Sequence, residues 1–223
     1  MSRVMVISDL QIPFENENAL EYCKALKEKY EPDYVVQIGD LLDNHFASSF
    51  TKETEAPGAM DEISRARETI KAWGEVFPKM TILMGNHEDR LMRALHKVGL
   101  PSSLLKTIPE IFQFPKQWEL VDQIEIDNVL YVHNSGVAGV HAVKNIAKTF
   151  SKSVVQGHLH TVCGIEYAKT LDGLRFAMVV GCLIDNDASA FNYSKGYALR
   201  SMPISAVGFV DDGKHPWLEV IDV

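Results

Sequence analysis

Short apolar runs that end abruptly in polar residues dominate the first half of the chain. Runs of this length are typical of buried strands, which we predict over residues 1–7, 34–38 and 80–84. Between them, apolar positions spaced for one helical face predict helices over residues 16–30 and 61–77, with Asp61 as the N-cap of the second helix. Strands that alternate with helices in this way are typical of a sheet with helices on its faces.

The second half of the chain is richer in strands. A helix is predicted over residues 140–150, and turns are predicted at 171–173 and 211–213. The predicted strands lie in 118–133, which an Asp-Asn turn divides in two, and in 153–156, 162–168, 174–183, 205–210 and 217–221. The two halves together predict an α/β (α+β) fold in which two packed sheets are flanked by helices. A length of 223 residues suits one domain, residues 1–223.

Composition narrows the class of protein. The chain has 22 basic and 30 acidic residues and a formal net charge of −8, which argues against a broad surface for duplex nucleic acid but leaves room for a local basic groove. No apolar run approaches the roughly 18 residues of a membrane span, and we predict no signal peptide. Cys23, Cys163 and Cys182 are widely spaced and are interpreted as reduced thiols. We therefore expect a cytoplasmic protein without a membrane partner.

Five of the predicted strands are followed immediately by side chains that can bind metals. They are Asp9 and Gln11, G-D-L-L-D at 39–43, G-N-H-E at 85–88, His133, and G-H-L-H at 157–160. Ligands of such sheets bind at the carboxyl ends of the strands. Each cluster alone could be a helix cap or a turn, but their joint order favours one site. Oxygen and imidazole donors without cysteine suit manganese, iron, zinc or magnesium, and the donors are numerous enough for two ions.

The series D-x-Q, G-D-x-x-D, G-N-H-E, a strand-end H and G-H-x-H runs from Asp9 to His160 and resembles the motifs of the calcineurin-like metallophosphoesterase superfamily. The later stretch G-C-L-I-D at 181–185 resembles phage and bacterial members of that superfamily. The resemblance implies a four-layer α-β-β-α fold and a hydrolase that cleaves phosphate esters with two divalent metal ions. Manganese is the expected metal, with iron, zinc, nickel and magnesium as alternatives.

The resemblance also implies a role for each motif residue. Asp40 would bridge the two metals. The remaining metal ligands would be Asp9, Gln11 and His160 at the first metal, and Asn86, His133 and His158 at the second. His87 would protonate the leaving group as a general acid, Asp43 would orient His87, and a hydroxide that bridges the metals would attack phosphorus.

Gln11 departs from the superfamily motif, which usually has histidine at this place. Its carbonyl oxygen is a weaker and harder donor than an imidazole nitrogen, and four interpretations are open. Gln11 binds metal through its oxygen and favours manganese or magnesium over zinc, or it holds a metal-bound water. Alternatively, the first metal site is weak, or catalysis has been lost. The retained His87 argues against lost catalysis, because a protein without activity has no evident need for it.

Candidate substrate contacts follow the metal-binding motifs. Asn44 and His45 could hydrogen-bond a substrate oxygen or cap their loop, and Arg90 could bind phosphate or face solvent beside an acid. Aromatic residues that could line a groove or pack in the core are Phe46, Phe50, Trp118, Phe191 and Tyr193.

The expected partner is a phosphate-ester substrate, and we favour phosphodiesters or small phosphate esters. One alternative is a phosphomonoesterase, including protein phosphatases, although their motif G-D-x-x-D-R-G is not matched by G-D-L-L-D-N-H at 39–45. A second alternative is a nuclease that acts on single-stranded DNA or RNA, so nucleic acid and nucleotides are candidate partners. From a different class comes a catalytically weak module that binds metal or a nucleotide. The sequence leaves the oligomeric state open.

Overall fold

The computed structural model describes residues 2–48, 58–99, 101–171, 173–185 and 202–221. The strands of this part are β1 (Arg3–Ile7), β2 (Tyr34–Gln37), β3 (Lys79–Leu83), β4 (Gln117–Val121), β5 (Gln123–Ile126), β6 (Val129–Val132), β7 (Ser153–Gln156), β8 (Gly164–Thr170), β9 (Gly173–Val179), β10 (Ser205–Asp211) and β11 (His215–Ile221). The helices are α1 (Ala19–Tyr30), α2 (Ala59–Val76), α3 (Asn86–Lys97), α4 (Ile108–Phe112) and α5 (Ala142–Thr149).

The strands form two mixed sheets. The first sheet has the order β11-β10-β1-β2-β3-β4, in which β1 to β4 are parallel and β10 and β11 are antiparallel. The second sheet has the order β5-β6-β7-β9-β8, with a parallel centre of β6, β7 and β9 and an antiparallel strand at each edge. The predicted α/β fold of two sheets flanked by helices is confirmed.

Strand β1 shows why these sheets pack in layers. Successive side chains of a strand point to opposite faces. Val4 and Val6 therefore pack between the two sheets, whereas Met5 and Ile7 pack under the helices of the first sheet. Both faces are apolar because both are buried, so the strand appears in the sequence as a continuous apolar run rather than an alternating one.

Three layers of buried side chains hold the four layers of secondary structure together. Ile70 and Trp73 of α2 pack on the outer face of the first sheet. Tyr131 and Phe176 lie in the core between the sheets. On the outer face of the second sheet, Ile146 of α5 packs against residues of β7 and β9. The order is helix, sheet, sheet, helix, as the sequence resemblance implied.

Several elements differ in detail from their predictions. The sequence predicted one strand from residue 118 to the Asp-Asn turn, but the structure has two strands there, β4 and β5. Strand β4 lies at the edge of the first sheet and β5 at the edge of the second, and only Asp122 separates them. Helix α2 begins at Ala59 with Gly58 as its N-cap, so Asp61 lies in the first turn and is not the N-cap. A favourable interaction with the helix dipole explains why an acidic residue occurs there.

Helix α4 was not predicted, although the sequence carries a signal for it. Thr107 is the N-cap, and its backbone N–H donates to the Glu110 carboxylate at 2.7 Å in a capping box. Other expectations fall outside the described residues, namely part of the turn at 171–173, and Phe50, Phe191 and Tyr193. Trp118 is buried, and Phe46 packs partly buried against the first core. Among the described residues, no helix is long and apolar enough to cross a bilayer.

Tyr131 provides a test of the inter-sheet core. Its side chain is fully buried, and its hydroxyl has no hydrogen-bond partner among the described residues. An unpaired buried hydroxyl destabilises the folded state, so we expect Tyr131→Phe to raise the free energy of unfolding by about 1 kcal/mol. Urea denaturation measures this change, with the exposed Tyr34→Phe as a matched control that should leave stability unchanged. A loss of stability in Tyr131→Phe would show that the hydroxyl makes a hydrogen bond.

Candidate metal centre

The candidate ligands lie on the turns that directly follow strands of both sheets. Four of them have left-handed backbone conformations, namely Asp9, Gln11, Asp40 and His158, with φ of 45°, 51°, 50° and 68°. Such conformations are rare for residues other than glycine and cost on the order of 1 kcal/mol each. They persist only where the surrounding structure fixes them, and they cluster at functional sites.

Gly39 is required for the close approach of these turns. Its φ is 100°, which L side chains rarely adopt. An added Cβ at Gly39 would lie 2.5 Å from Nδ1 of His133, so no other residue fits without moving the imidazole. The glycine of the G-D-L-L-D motif therefore lets the second sheet place His133 against the turn of the first sheet.

Asp9, Gln11 and His160 form the first donor group. Nε2 of His160 lies 3.0 Å from Oδ1 of Asp9 and 3.3 Å from the amide nitrogen of Gln11. The other Asp9 oxygen accepts hydrogen bonds from the backbone N–H of His158, at 2.9 Å, and from the Ser8 hydroxyl. Burial alone would raise the pKa of Asp9, but the hydrogen bond and charge of His160 hold that pKa well below its usual range. Asp9 is therefore a carboxylate at neutral pH.

Gln11 is buried, and its carbonyl oxygen has no hydrogen-bond partner among the described residues. An unpaired buried carbonyl is costly, and most buried polar atoms in proteins have a partner. The atom lies on the side chain that occupies the motif position of a metal ligand, beside His160. A cation at the first donor group would give this oxygen the partner that it lacks.

Asp40, Asn86, His133 and His158 form the second donor group. One donor atom from each of Asp40, His133 and His158 lies within 4.8 Å of the others, close enough to share an ion. Nε2 of His133 lies 3.0 Å from Oδ1 of Asn86 and 3.2 Å from Oδ2 of Asp40. The imidazoles of His133 and His158 meet edge to face, with ring centroids 5.1 Å apart.

The hydrogen bonding of His133 shows that this group needs a positive charge. Its Nδ1 lies 3.0 Å from the carbonyl oxygen of Ile38, which can only accept, so Nδ1 is protonated and donates. In a neutral imidazole, the lone pair of Nε2 would then face the Asp40 carboxylate. Burial alone would lower the pKa of His133, but Asp40 raises that pKa to about 9. Nε2 is therefore protonated at neutral pH and donates to the Asp40 carboxylate. A divalent cation can replace that proton, and the carbonyl of Ile38 would keep the ring oriented.

His158 has the opposite tendency. Burial and the charge of His133 lower the pKa of His158, which keeps its imidazole neutral and able to bind a metal. The two donor groups therefore combine carboxylate oxygens, amide oxygens and imidazole nitrogens in one place. This donor set fits divalent metal ions such as manganese, iron, zinc or magnesium.

His87 lies beside the second donor group and is held from both sides. Its Nδ1 lies 2.7 Å from Oδ1 of Asp43, and its Nε2 lies 3.8 Å from Oδ2 of Asp40. A guanidinium nitrogen of Arg90 lies 3.0 Å from the same Nε2. Because arginine can only donate, Nε2 accepts this hydrogen bond, and the proton of the neutral ring is on Nδ1. Burial alone would lower the pKa of His87, but Asp43 and Asp40 raise it above its usual value.

The three candidate substrate contacts occupy different places. Arg90 is partly exposed and lies beside an acid, since its guanidinium is 3.8 Å from the Asp43 carboxylate and also donates to the backbone carbonyl of Asp43 at 3.1 Å. The Asn44 amide is buried and donates to the carbonyl oxygen of His87 at 2.9 Å, which is a loop contact. His45 lies edge to face against Phe14, with Nδ1 3.7 Å from the Asp43 carboxylate. Of the three, Arg90 has a recorded contact with the side chain of His87, at Nε2.

Two buried glutamates that the sequence interpretation did not single out hold these turns. Glu88 is fully buried and accepts backbone N–H groups of Gly85, Asp40 and Leu42 at 2.9, 3.1 and 2.8 Å. Burial and the charge of Asp40 raise the pKa of Glu88 to about 7. Its position three residues after the N-cap of α3, within G-N-H-E, is a recognisable capping signal.

Glu62 of α2 supports the loop that follows Asp43. Its two carboxylate oxygens accept the backbone N–H groups of His45 and Phe46 at 2.7 and 3.0 Å. Burial raises the pKa of Glu62 to about 7. The sequence carries no signal for this contact, because Glu62 looks like any acidic residue in the first turn of a helix.

A four-layer sandwich with oxygen and imidazole donors at the strand ends defines the protein as a metallophosphoesterase. The sequence model of the family described as calcineurin-like phosphoesterase matches residues 2–171, and the chain belongs to this family. Membership implies metal-dependent hydrolysis of phosphoesters.

Relatives of this chain include phage proteins. It is 23% identical over 256 residues to the Gene 54 protein of Mycobacterium phage L5, and the alignment covers 99% of this chain and 93% of that protein. It is 24% identical over 184 residues to the Gene 54 protein of Mycobacterium phage D29, covering 71% and 69%. Among solved structures, a metallophosphoesterase from Sphaerobacter thermophilus is similar with a TM-score of 0.49 and 14% identity, covering 99% of this chain and 88% of that one.

Gln11 provides a test of the first donor group. We expect Gln11→His to raise the affinity for metal by about tenfold and to shift preference toward zinc or iron, because imidazole nitrogen is a softer donor than an amide oxygen. Isothermal titration of metal-free protein with manganese and zinc measures both changes. Gln117→His, on the exposed start of β4, is the matched control. Unchanged affinity and preference in Gln11→His would show that residue 11 does not contact the metal.

Proposed function

We propose that this chain is a two-metal phosphoesterase that hydrolyses phosphodiesters or small phosphate esters, with His87 as the general acid. The observation that carries the proposal is the position of His87. Its Nε2 is 3.8 Å from the Asp40 carboxylate, so it can reach a phosphate bound at the second donor group. A general acid must lie within hydrogen-bond reach of the leaving oxygen, and this geometry allows it.

The metal ligands follow from the two donor groups. In this proposal Asp40 would contribute to both ions. The other ligands would be Asp9, Gln11 and His160 for the first ion, and Asn86, His133 and His158 for the second. When bound, the ions supply an activated water as the nucleophile and stabilise negative charge on the phosphate. The amide oxygen of Gln11 makes the first group richer in oxygen, which favours manganese. We propose that residues 1–223 act as one domain.

The chain's own residues move the proton. Asp43 receives the Nδ1–H of His87 at 2.7 Å, which orients the ring and favours its charged form. Protonated His87 gives its Nε2 proton to the leaving oxygen as the bond from phosphorus to that oxygen breaks. The neutral alcohol then leaves, and Nε2 keeps a lone pair. The contact of 3.0 Å between Arg90 and Nε2 supports this step, because a lone pair on Nε2 can accept a hydrogen bond from the guanidinium.

Arg90 would switch between two partners. A guanidinium binds phosphate oxygens in a bidentate manner, and its donors are better matched by a phosphate than by one imidazole nitrogen. We therefore assign Arg90 to the substrate phosphate, a contact that releases Nε2 of His87 for protonation. The position after Asp43 holds Asn44 where protein phosphatases have arginine, so one cation fewer is available for the double charge of a phosphomonoester. This difference favours phosphodiesters.

Leaving groups of graded basicity test the role of His87. A general acid matters most for a basic leaving group and little for bis-p-nitrophenyl phosphate, whose leaving group departs readily. With manganese, His87→Ala should lower kcat about tenfold for bis-p-nitrophenyl phosphate and by about 100-fold or more for alkyl phosphodiesters. His96→Ala, on the exposed end of the same helix, is the matched control.

Two outcomes would contradict the proposal. Absence of turnover by the wild-type protein with every divalent metal tested would contradict the assignment as an enzyme. If His87→Ala lowered kcat by the same factor for all leaving groups, His87 would have a structural role and not that of a general acid. Distortion of the site would slow the hydrolysis of every substrate alike.

A further inference from the structure

Strand β8 is an edge of the second sheet, and two clefts flank it. One cleft of about 330 Å³ lies between β8 and α5. The other, of about 600 Å³, lies between the sheets, where β8 and β9 face the turn that joins β10 to β11. Tyr167 of β8 lines both clefts, so the two clefts, on opposite faces of the sheet, meet at this edge strand. We call this region the β8 surface.

The β8 surface is basic, although the chain as a whole is acidic. The basic residues that line it are Lys144, Lys148, Lys169, Arg175, Lys214 and His215. Among the described residues that line the two clefts, Glu166 is the one acid. In a chain of net charge −8, this concentration of cations indicates a surface for a polyanion. Lys214 also borders a depression with three aspartates, so Lys148 and Lys169 are better probes of the surface.

Aromatic and aliphatic side chains are exposed among these cations. Tyr167 is 51% exposed and Leu174 is 66% exposed. The Tyr167 ring packs edge to face against Phe176, with centroids 6.5 Å apart, which orients the ring while much of it stays accessible. Basic groups around an accessible aromatic ring are the combination that binds single-stranded nucleic acid, because phosphates pair with the cations and unpaired bases stack on the ring.

We propose that the β8 surface binds single-stranded nucleic acid. Duplex DNA does not suit it, because paired bases cannot stack on Tyr167 and the acidic remainder of the chain repels a wide polyanion. The seven residues of β8 span about 23 Å, which suits a few nucleotides and matches the smaller sites of single-strand-binding folds.

The position of β8 connects this surface to the metal centre. The strand begins at Gly164, four residues after His160, and its first residue lies against Val143 at the start of α5. A single-stranded nucleic acid bound along β8 would therefore have one end near the donor groups. The further claim that this nucleic acid is also the substrate rests on the proposed function, whereas binding itself does not require hydrolysis.

Binding measured without metal tests the surface independently of hydrolysis. Fluorescence anisotropy of labelled oligo-dT and oligo-U of about 12 nucleotides, in EDTA, would give affinities for the wild-type protein and its variants. We expect Lys148→Glu with Lys169→Glu to weaken binding at least tenfold. The slope of log affinity against log salt should become shallower by about 1.4, because two phosphate contacts are lost.

Tyr167→Ser separates stacking from charge. It should weaken binding about fivefold or more and leave the salt slope unchanged. The matched control for the charge change is Lys71→Glu with Lys116→Glu, on exposed positions of α2 and before β4, which should stay within about twofold of the wild type. Circular dichroism and urea unfolding would verify that each variant folds.

The comparison between oligo-dT and oligo-U shows whether the surface prefers DNA or RNA. Three outcomes would overturn the proposal: no binding by the wild-type protein at about 100 µM in low salt, equal loss in the control pair, or duplex bound as tightly as a single strand. Binding as expected in a protein without turnover would keep the surface and reject the proposed enzymatic function.

Discussion

The candidate metal centre depends on a buried carboxyl group, that of Glu88, to which backbone N–H groups donate hydrogen bonds in place of water. Three N–H groups, from the turns at Gly85 and at Asp40 to Leu42, converge on its two oxygens. Carboxylates elsewhere in the centre work in the same way, since Asp40 accepts from the backbone of His87 at 2.9 Å and Asp9 from that of His158. Charged hydrogen bonds of this kind are stronger than neutral ones, so each turn is held by an acid from another turn.

This arrangement explains how one edge of the molecule can concentrate negative charge. Parallel strands bring their carboxyl ends to the same edge, and the acids there accept hydrogen bonds from backbone N–H groups of the turns. The oxygens that the backbone does not satisfy face the imidazoles of His133 and His160. The buried carbonyl oxygen of Gln11 has no hydrogen-bond partner among the described residues. In the proposed function, divalent cations would balance this negative charge, and the geometry of the turns would decide where they bind.

The sequence was informative where a residue follows a strand. Apolar runs placed the strands, and the turns after them carried the candidate ligands, so the neighbours of Asp40 and His133 could be predicted from the order of the motifs alone. Long-range contacts could not: the Glu62 contact with the loop after Asp43 joins a helix to a turn without any local pattern. The sequence left Arg90 between binding phosphate and facing solvent beside an acid. Its contact with His87 was not predicted, because the conformation of the guanidinium depends on a packed environment. The sequence also did not predict that the chain passes from the first sheet to the second between β4 and β5, because two strands separated by one residue have the pattern of a single strand.

Metal content tests the central claim that the two donor groups hold two ions. Protein reconstituted with manganese, freed of excess metal by gel filtration and measured by mass spectrometry under native conditions should carry about two ions per chain. Asp9→Asn should reduce this to about one, and Asp40→Asn, which alters the ligand assigned to both ions, should reduce it further. A wild-type chain that binds at most one ion, or an Asp40→Asn chain that keeps two, would contradict the account.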